Sequence, residues 1–137
     1  MHQIQKVSAT EAQKLISKAF DEAKKISKHI AAAVTGPEGE LIAFLRMDGA
    51  NAASATISQN KAYTAARDRC TTQSLGEKVR KNQYPLGNWG DSRITCFGGG
   101  LPIIQNGQVI GGIGVSGLSE EEDERIGHEA IKSVYGS

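Results

Sequence analysis

Residues 96 to 117, "CFGGGLPIIQNGQVIGGIGVSG", carry eight of the chain's 16 glycines inside its most apolar stretch. Asn106-Gly107 is the strongest short hairpin signal, because a type I′ turn needs two positive φ angles in a row. It predicts a strand at Pro102 to Ile104, a turn, and a return strand from Val109 to Val115. Arg93 to Phe97 reads as a preceding strand and Gly98 to Gly100 as the break between them. Gly111, Gly112 and Gly114 would weaken the return strand unless another backbone or a ligand comes very close. Two readings stay open: the glycines let strands bend and subunits touch, or they clear space and backbone amides for a bound molecule.

The rest of the chain supplies partners for that hairpin. Ser8 and Glu11 form a capping box, and Leu15, Ile16, Ala19, Phe20, Ala23 and Ile26 follow at helical spacing, predicting a helix from Thr10 to Lys28. "HIAAAVTGPEGELIAFLRM" reads as two strands joined through Gly36 to Gly39. Apolar residues on both faces of the second strand argue for cover on both sides of the sheet. An alanine-rich helix is expected from Asn51 to Arg69, capped by Asn51 or Ser54, and a short one from Ser74 to Lys81. A loop, Tyr84 to Gly90, carries the lone tryptophan, Trp89. Ser119 and Glu122 cap a last helix to Tyr135. Five short strands with hairpin turns and no βαβ rhythm predict an α+β fold: a mostly antiparallel sheet with helices on its faces.

At 137 residues the chain suits one domain spanning 1–137. A net charge of +1 speaks against nucleic acid, whose binding needs a concentrated basic field. Lys24, Lys25 and Lys28, and Lys78, Arg80 and Lys81, read as solvated helix faces. No secretory leader or membrane span is legible, so the cytoplasm is the expected location. Cys70 and Cys96 have no metal-binding spacing and are expected to be free, buried and apolar in role.

Several side chains could carry chemistry. The glycines do not form a phosphate loop or a dinucleotide fingerprint, and no nucleophile triad is visible. "VSG" before the last helix, Ser116 and Gly117, makes a natural anion seat. His29 sits where the first helix gives way to a small-residue strand, as either a helix-end cation or an iron ligand. Lys61, Thr64 and Asp68 share one stripe of the second helix, and Tyr63 with Arg67 another. A functional Lys61 would need burial against the glycine-rich strands, where its ammonium could meet a carboxylate.

"LIAFLRMDGA", "KAYTAA", "FGGGLPI" and "GGIGVSG" followed by "EEDE" stand in an order and spacing that resembles the GlcG/HbpS-like family, also found as the C-terminal domain of PduO proteins of diol and glycerol use. The likeness covers almost the whole chain. It implies a profilin-like three-layer α/β/α sandwich with a five-stranded sheet, a homo-oligomer, and, as several family members are reported to do, binding of haem. Matching positions are Lys61 and Tyr63, Gly98, Gly99 and Gly100, and Ser116, Gly117 and Asp123. Where relatives commonly carry an aspartate in the first hairpin turn, this chain has Gly36. The expectation is therefore a haem or tetrapyrrole binder in which His29 meets the iron and Lys61 or Arg67 the carboxylates. The alternative is an accessory factor or enzyme for a small organic acid, corrinoid or diol-pathway metabolite.

Overall fold

Hydroxyl caps start three of the four helices in a computed structural model that describes residues 1–136. Ser8 and Glu11 close a reciprocal box at the head of α1 (Ala9–Lys25), and Ser119 and Glu122 do the same for α4 (Glu120–Tyr135). Thr71 caps α3 (Thr72–Asn82) through the Ser74 amide. At α2 (Ala53–Asp68) the Asn51 side chain accepts from the Ser54 N–H at 2.9 Å, one residue ahead of the helix's formal cap. α1 stops at Lys25, short of the expected Lys28. Ser27 turns left-handed (φ 56°), and the Ser27 and Lys28 amides fold back onto the Lys24 and Ala23 carbonyls, the paired bonds of a Schellman end.

The sheet has four strands, not the five expected. Its order is β2-β1-β4-β3 with every pairing antiparallel, from β1 (Ala31–Thr35), β2 (Leu41–Arg46), β3 (Gly100–Gln105) and β4 (Gln108–Ser116). The missing strand is Arg93 to Phe97. Its β-branched residues look extended in sequence, but its backbone bonds go to a helix. Thr64 of α2 takes the Thr95 N–H at 3.1 Å on its hydroxyl oxygen and donates that hydroxyl to the Arg93 carbonyl at 3.3 Å. These two backbone groups are thereby satisfied without a ladder.

Helices α1 and α4 cover one face of the sheet and α2, with α3 beside it, the other, which gives the three layers. The α1/α4 side holds the main hydrophobic core, with Leu15, Ile16, Ala32, Val34, Ile103, Ile113, Val115 and Ile126 fully or nearly buried. β1 is central and buried throughout. β2 is an edge strand, and the cover expected on both its faces is only partial: Ile42, Ala43 and Phe44 are half-buried, while Leu41 and Leu45 are each 53% exposed.

The opposite face answers the question posed by the glycines. A Cβ on Gly112 would lie 2.5 Å from the Ala62 carbonyl oxygen, one on Gly100 2.5 Å from that of Lys61, and one on Gly114 would overlap the Ser58 carbonyl. For these three the close neighbour is the chain's own helix, whereas a Cβ on Gly111 would overlap the Thr35 carbonyl of β1. Side chains were removed from β3 and β4 so that α2 could lie on the sheet main chain to main chain.

Candidate functional site

The residues singled out in the sequence separate into three places along α2. At its middle lies a buried ion pair. Lys61 Nζ donates to Asp123 Oδ2 at 3.1 Å and to the Val115 carbonyl at 2.9 Å, with the lysine 3% and the aspartate 2% exposed. Asp123 Oδ1 accepts the Leu118 N–H at 3.1 Å. Burial pushes the Asp123 carboxyl up, against the opposing pull of the Lys61 ammonium.

Gly98 to Gly100 close over this pair. A Cβ on Gly99 (φ 125°) would stand 2.7 Å from Lys61 Nζ. The Gly98 amide donates to Glu120 at 2.6 Å and the Gly100 amide to Thr72 at 2.9 Å. The acidic group that Lys61 was expected to meet is thus Asp123 of the same chain. Its ammonium ties α2 to β4 and α4 and is not free for a ligand's carboxylate.

The C-terminal end of α2 holds Tyr63 and Arg67. Two guanidinium groups lie over the Tyr63 ring, Arg93 at 3.9 Å and Arg67 at 4.9 Å from its centre. Its hydroxyl donates to Asp91 in a short bond. That bond, with the Arg93 amide and guanidinium, holds the Asp91 carboxyl down to about 2. The Tyr63 phenol is pushed up, chiefly by burial and then by the same hydrogen bond. Gly39 (φ 88°) packs against this side chain, since a Cβ there would fall 2.7 Å from the ring. Asp91 and Arg93 escaped the sequence reading because neither has a spacing that links it to Tyr63. Gly36 leaves room for the Glu40 carboxylate, which lies 2.5 Å from the position a Cβ would take and bonds Lys6 at 3.2 Å.

His29 lies at the other end of α2. It is exposed, on the wall of a depression of about 360 Å³ lined also by Lys28, Gly49, Ala50, Gly117 and Leu118. Its ring rests against Gly49, where a Cβ would come within 3.2 Å of it. Ser116, buried, pairs with Ala31 in the sheet, and a Cβ on Gly117 would meet the His29 carbonyl at 2.8 Å, so these two are His29's neighbours. The 16 residues of α2, at a rise of about 1.5 Å each, put roughly 24 Å between the His29 and Arg67 ends. The expected grouping of His29 with Lys61 or Arg67 around one tetrapyrrole therefore does not form within a single chain. Among the described residues no group of three or more His, Cys, Asp or Glu side chains could hold a bare metal ion.

A three-layer sandwich with a four-stranded antiparallel sheet and a glycine seam under its central helix defines a class of small α+β domain. Within it, the chain belongs to the HbpS-like family, described as haem-degrading protein HbpS-like, whose model matches residues 7–132. It is 36% identical over 131 residues to an uncharacterized 15.0 kDa protein in the dhaT-dhaS intergenic region of Citrobacter freundii, covering 94% of this chain and 92% of that one. It is also 36% identical over 110 residues to Protein GlcG of Escherichia coli K12, covering 77% of each. Among solved structures, Klebsiella pneumoniae protein ORFY superposes with a TM-score of 0.92 at 32% identity, over 100% of this chain and 96% of that one. A PduOC:heme complex superposes with a TM-score of 0.88 at 26% identity, over 95% of this chain and 96% of that one.

The donor chemistry around His29 fits haem in one respect. The exposed His29 imidazole, its ring against Gly49, would offer one nitrogen to an iron, with Leu118 and Ala50 as apolar lining and Lys28 and Glu122 as charged lining. Met47, the nearest thioether in sequence, is already engaged by the Ile30 N–H at 3.4 Å.

Proposed function

We propose that the chain binds haem or a related tetrapyrrole, with His29 as the axial ligand to iron. The observation that carries this reading is the exposed His29 imidazole on the wall of an open depression, in a chain whose fold matches that of a protein solved with haem. Lys28, which lines the same depression, would meet a carboxylate of the ring. When bound, the group supplies the redox chemistry of its iron, and the protein supplies the nitrogen and the position.

The same reading includes self-association. A groove of about 560 Å³ runs between α1 and the edge strand β2, lined by Ile16, Phe20, Ile42, Phe44 and Leu45, and an apolar surface beside a free strand edge suits a second copy. A link to diol, glycerol or glycolate use rests on kinship alone. Titrating haemin into the protein tests the central claim. We expect a shifted, saturable Soret band that is lost in His29→Ala and kept when the exposed histidine of α4 is changed, in His128→Ala. An unshifted band at micromolar protein, or a His29→Ala spectrum identical to the parent's, overturns it.

A further inference from the structure

The far end of α2 carries a second cleft. It has a volume of about 320 Å³, within the range of small-molecule pockets, and lies between the β1–β2 turn, the end of α2 and residues 89 to 94. Its walls include Arg67, Arg69, Trp89 and Ile94.

The charges in this cleft are unevenly spent. Asp91 is saturated: its two oxygens receive the Tyr63 hydroxyl and the Arg93 amide and guanidinium. Arg67 gives one N–H to the Glu38 carbonyl at 3.0 Å and forms no ion pair among the described residues. Arg69, the left-handed C-cap of α2, makes neither a side-chain hydrogen bond nor an ion pair among them. Among the described residues the Trp89 indole N–H has no hydrogen-bond partner, while its ring meets Tyr84 edge-on at 6.4 Å. Glu38 and Asp68, exposed like Arg67 and Arg69, line the same cleft and carry the opposite sign.

Arg67, Arg69 and Trp89 thus line one cleft together with Ile94, and Arg67 lies over the Tyr63 ring. Guanidinium groups free of ion pairs next to an aromatic wall suit a carboxylate with a flat body. We propose that this cleft is a second ligand site, for a small carboxylate with a planar or apolar body, its carboxylate on Arg67 and Arg69 and its body against Trp89 and Ile94. The site is independent of haem, since the length of α2 separates it from His29.

Trp89 is the chain's one tryptophan, so its emission reports on this cleft directly. The full-length protein, without haemin, is titrated with benzoate, inorganic phosphate and benzyl alcohol at low salt. We expect a saturable change with benzoate, weaker binding of phosphate, and none of benzyl alcohol, which has the ring without the charge. Arg69→Gln should weaken benzoate at least tenfold. The substitution keeps the fold, because Gln83 already adopts the same left-handed backbone here (φ 54°). His29→Ala should leave benzoate binding unchanged, which separates this site from the haem reading. The proposal is overturned if no ligand gives a saturable change up to millimolar concentration, if Arg69→Gln binds benzoate like the parent, or if phosphate or benzyl alcohol matches benzoate.

Discussion

Removing the ammonium of Lys61 probes the centre of the molecule. In Lys61→Met, Asp123 keeps only the Leu118 N–H, at 2% exposure, and the Val115 carbonyl loses its side-chain donor. Water cannot screen or solvate what is left. Breaking one side of such a buried pair costs about 3–5 kcal/mol. For a chain of this size that corresponds to a fall in Tm of roughly 10–17 °C.

Replacing both partners by apolar side chains, in Lys61→Met/Asp123→Leu, removes both desolvation penalties and leaves mainly the Leu118 amide unpaired. The double variant should therefore lose only about 1–2 kcal/mol. The pH dependence follows from burial having raised Asp123 above its ordinary 3.8. Its contribution is complete below that unfolded value and is lost as pH rises through the elevated folded one. The deficit of Lys61→Met should accordingly shrink as pH is lowered from 7, because the stranded carboxyl can take up a proton. Urea denaturation of the parent, both single variants and the double variant forms the cycle. Single variants within about 1 kcal/mol of the parent, or a double variant whose loss equals the sum of the two, would refute the reasoning.

Two further substitutions test the neighbouring features. Tyr63→Phe deletes the hydroxyl that chiefly holds Asp91 at about 2, so the Asp91 carboxyl, followed by NMR, should titrate closer to its ordinary 3.8. In the parent the stability tied to Asp91 is present above 3.8 and disappears as pH falls through about 2, and in Tyr63→Phe that acid-side loss should become shallower. Gly114→Ala places a methyl group on the Ser58 carbonyl and 2.6 Å from the Ala62 nitrogen and should destabilise by about 1–3 kcal/mol or more, whereas Gly87→Ala, with open space around it, should be nearly neutral by thermal melting.

The features legible in the sequence were those encoded locally. Ser8 with Glu11, Ser119 with Glu122, and Asn106-Gly107 each specify a cap or a turn within four residues, and each formed where it was read. Arg93 to Phe97 was misread because "RITCF" has the β-branched content of a strand, while its fate was decided by the Thr64 hydroxyl, 29 and 31 residues back in the chain. Lys61 was recognised as needing burial and an acid, yet Asp123 lies 62 positions away and nothing in its neighbourhood in sequence names the lysine. The glycines of β4 were correctly read as inviting a close neighbour. Which neighbour depended on α2 having alanine and serine where it faces them, a match visible only once the two elements are side by side.

That match has a mechanical consequence. Side chains can change rotamer to absorb a small displacement, but carbonyl oxygens seated over bare Cα atoms have no such slack. Helix α2 and strands β3 and β4 must therefore shift together as one stiff plate. Any breathing of the molecule is left to the opposite layer and to the half-covered margin at β2.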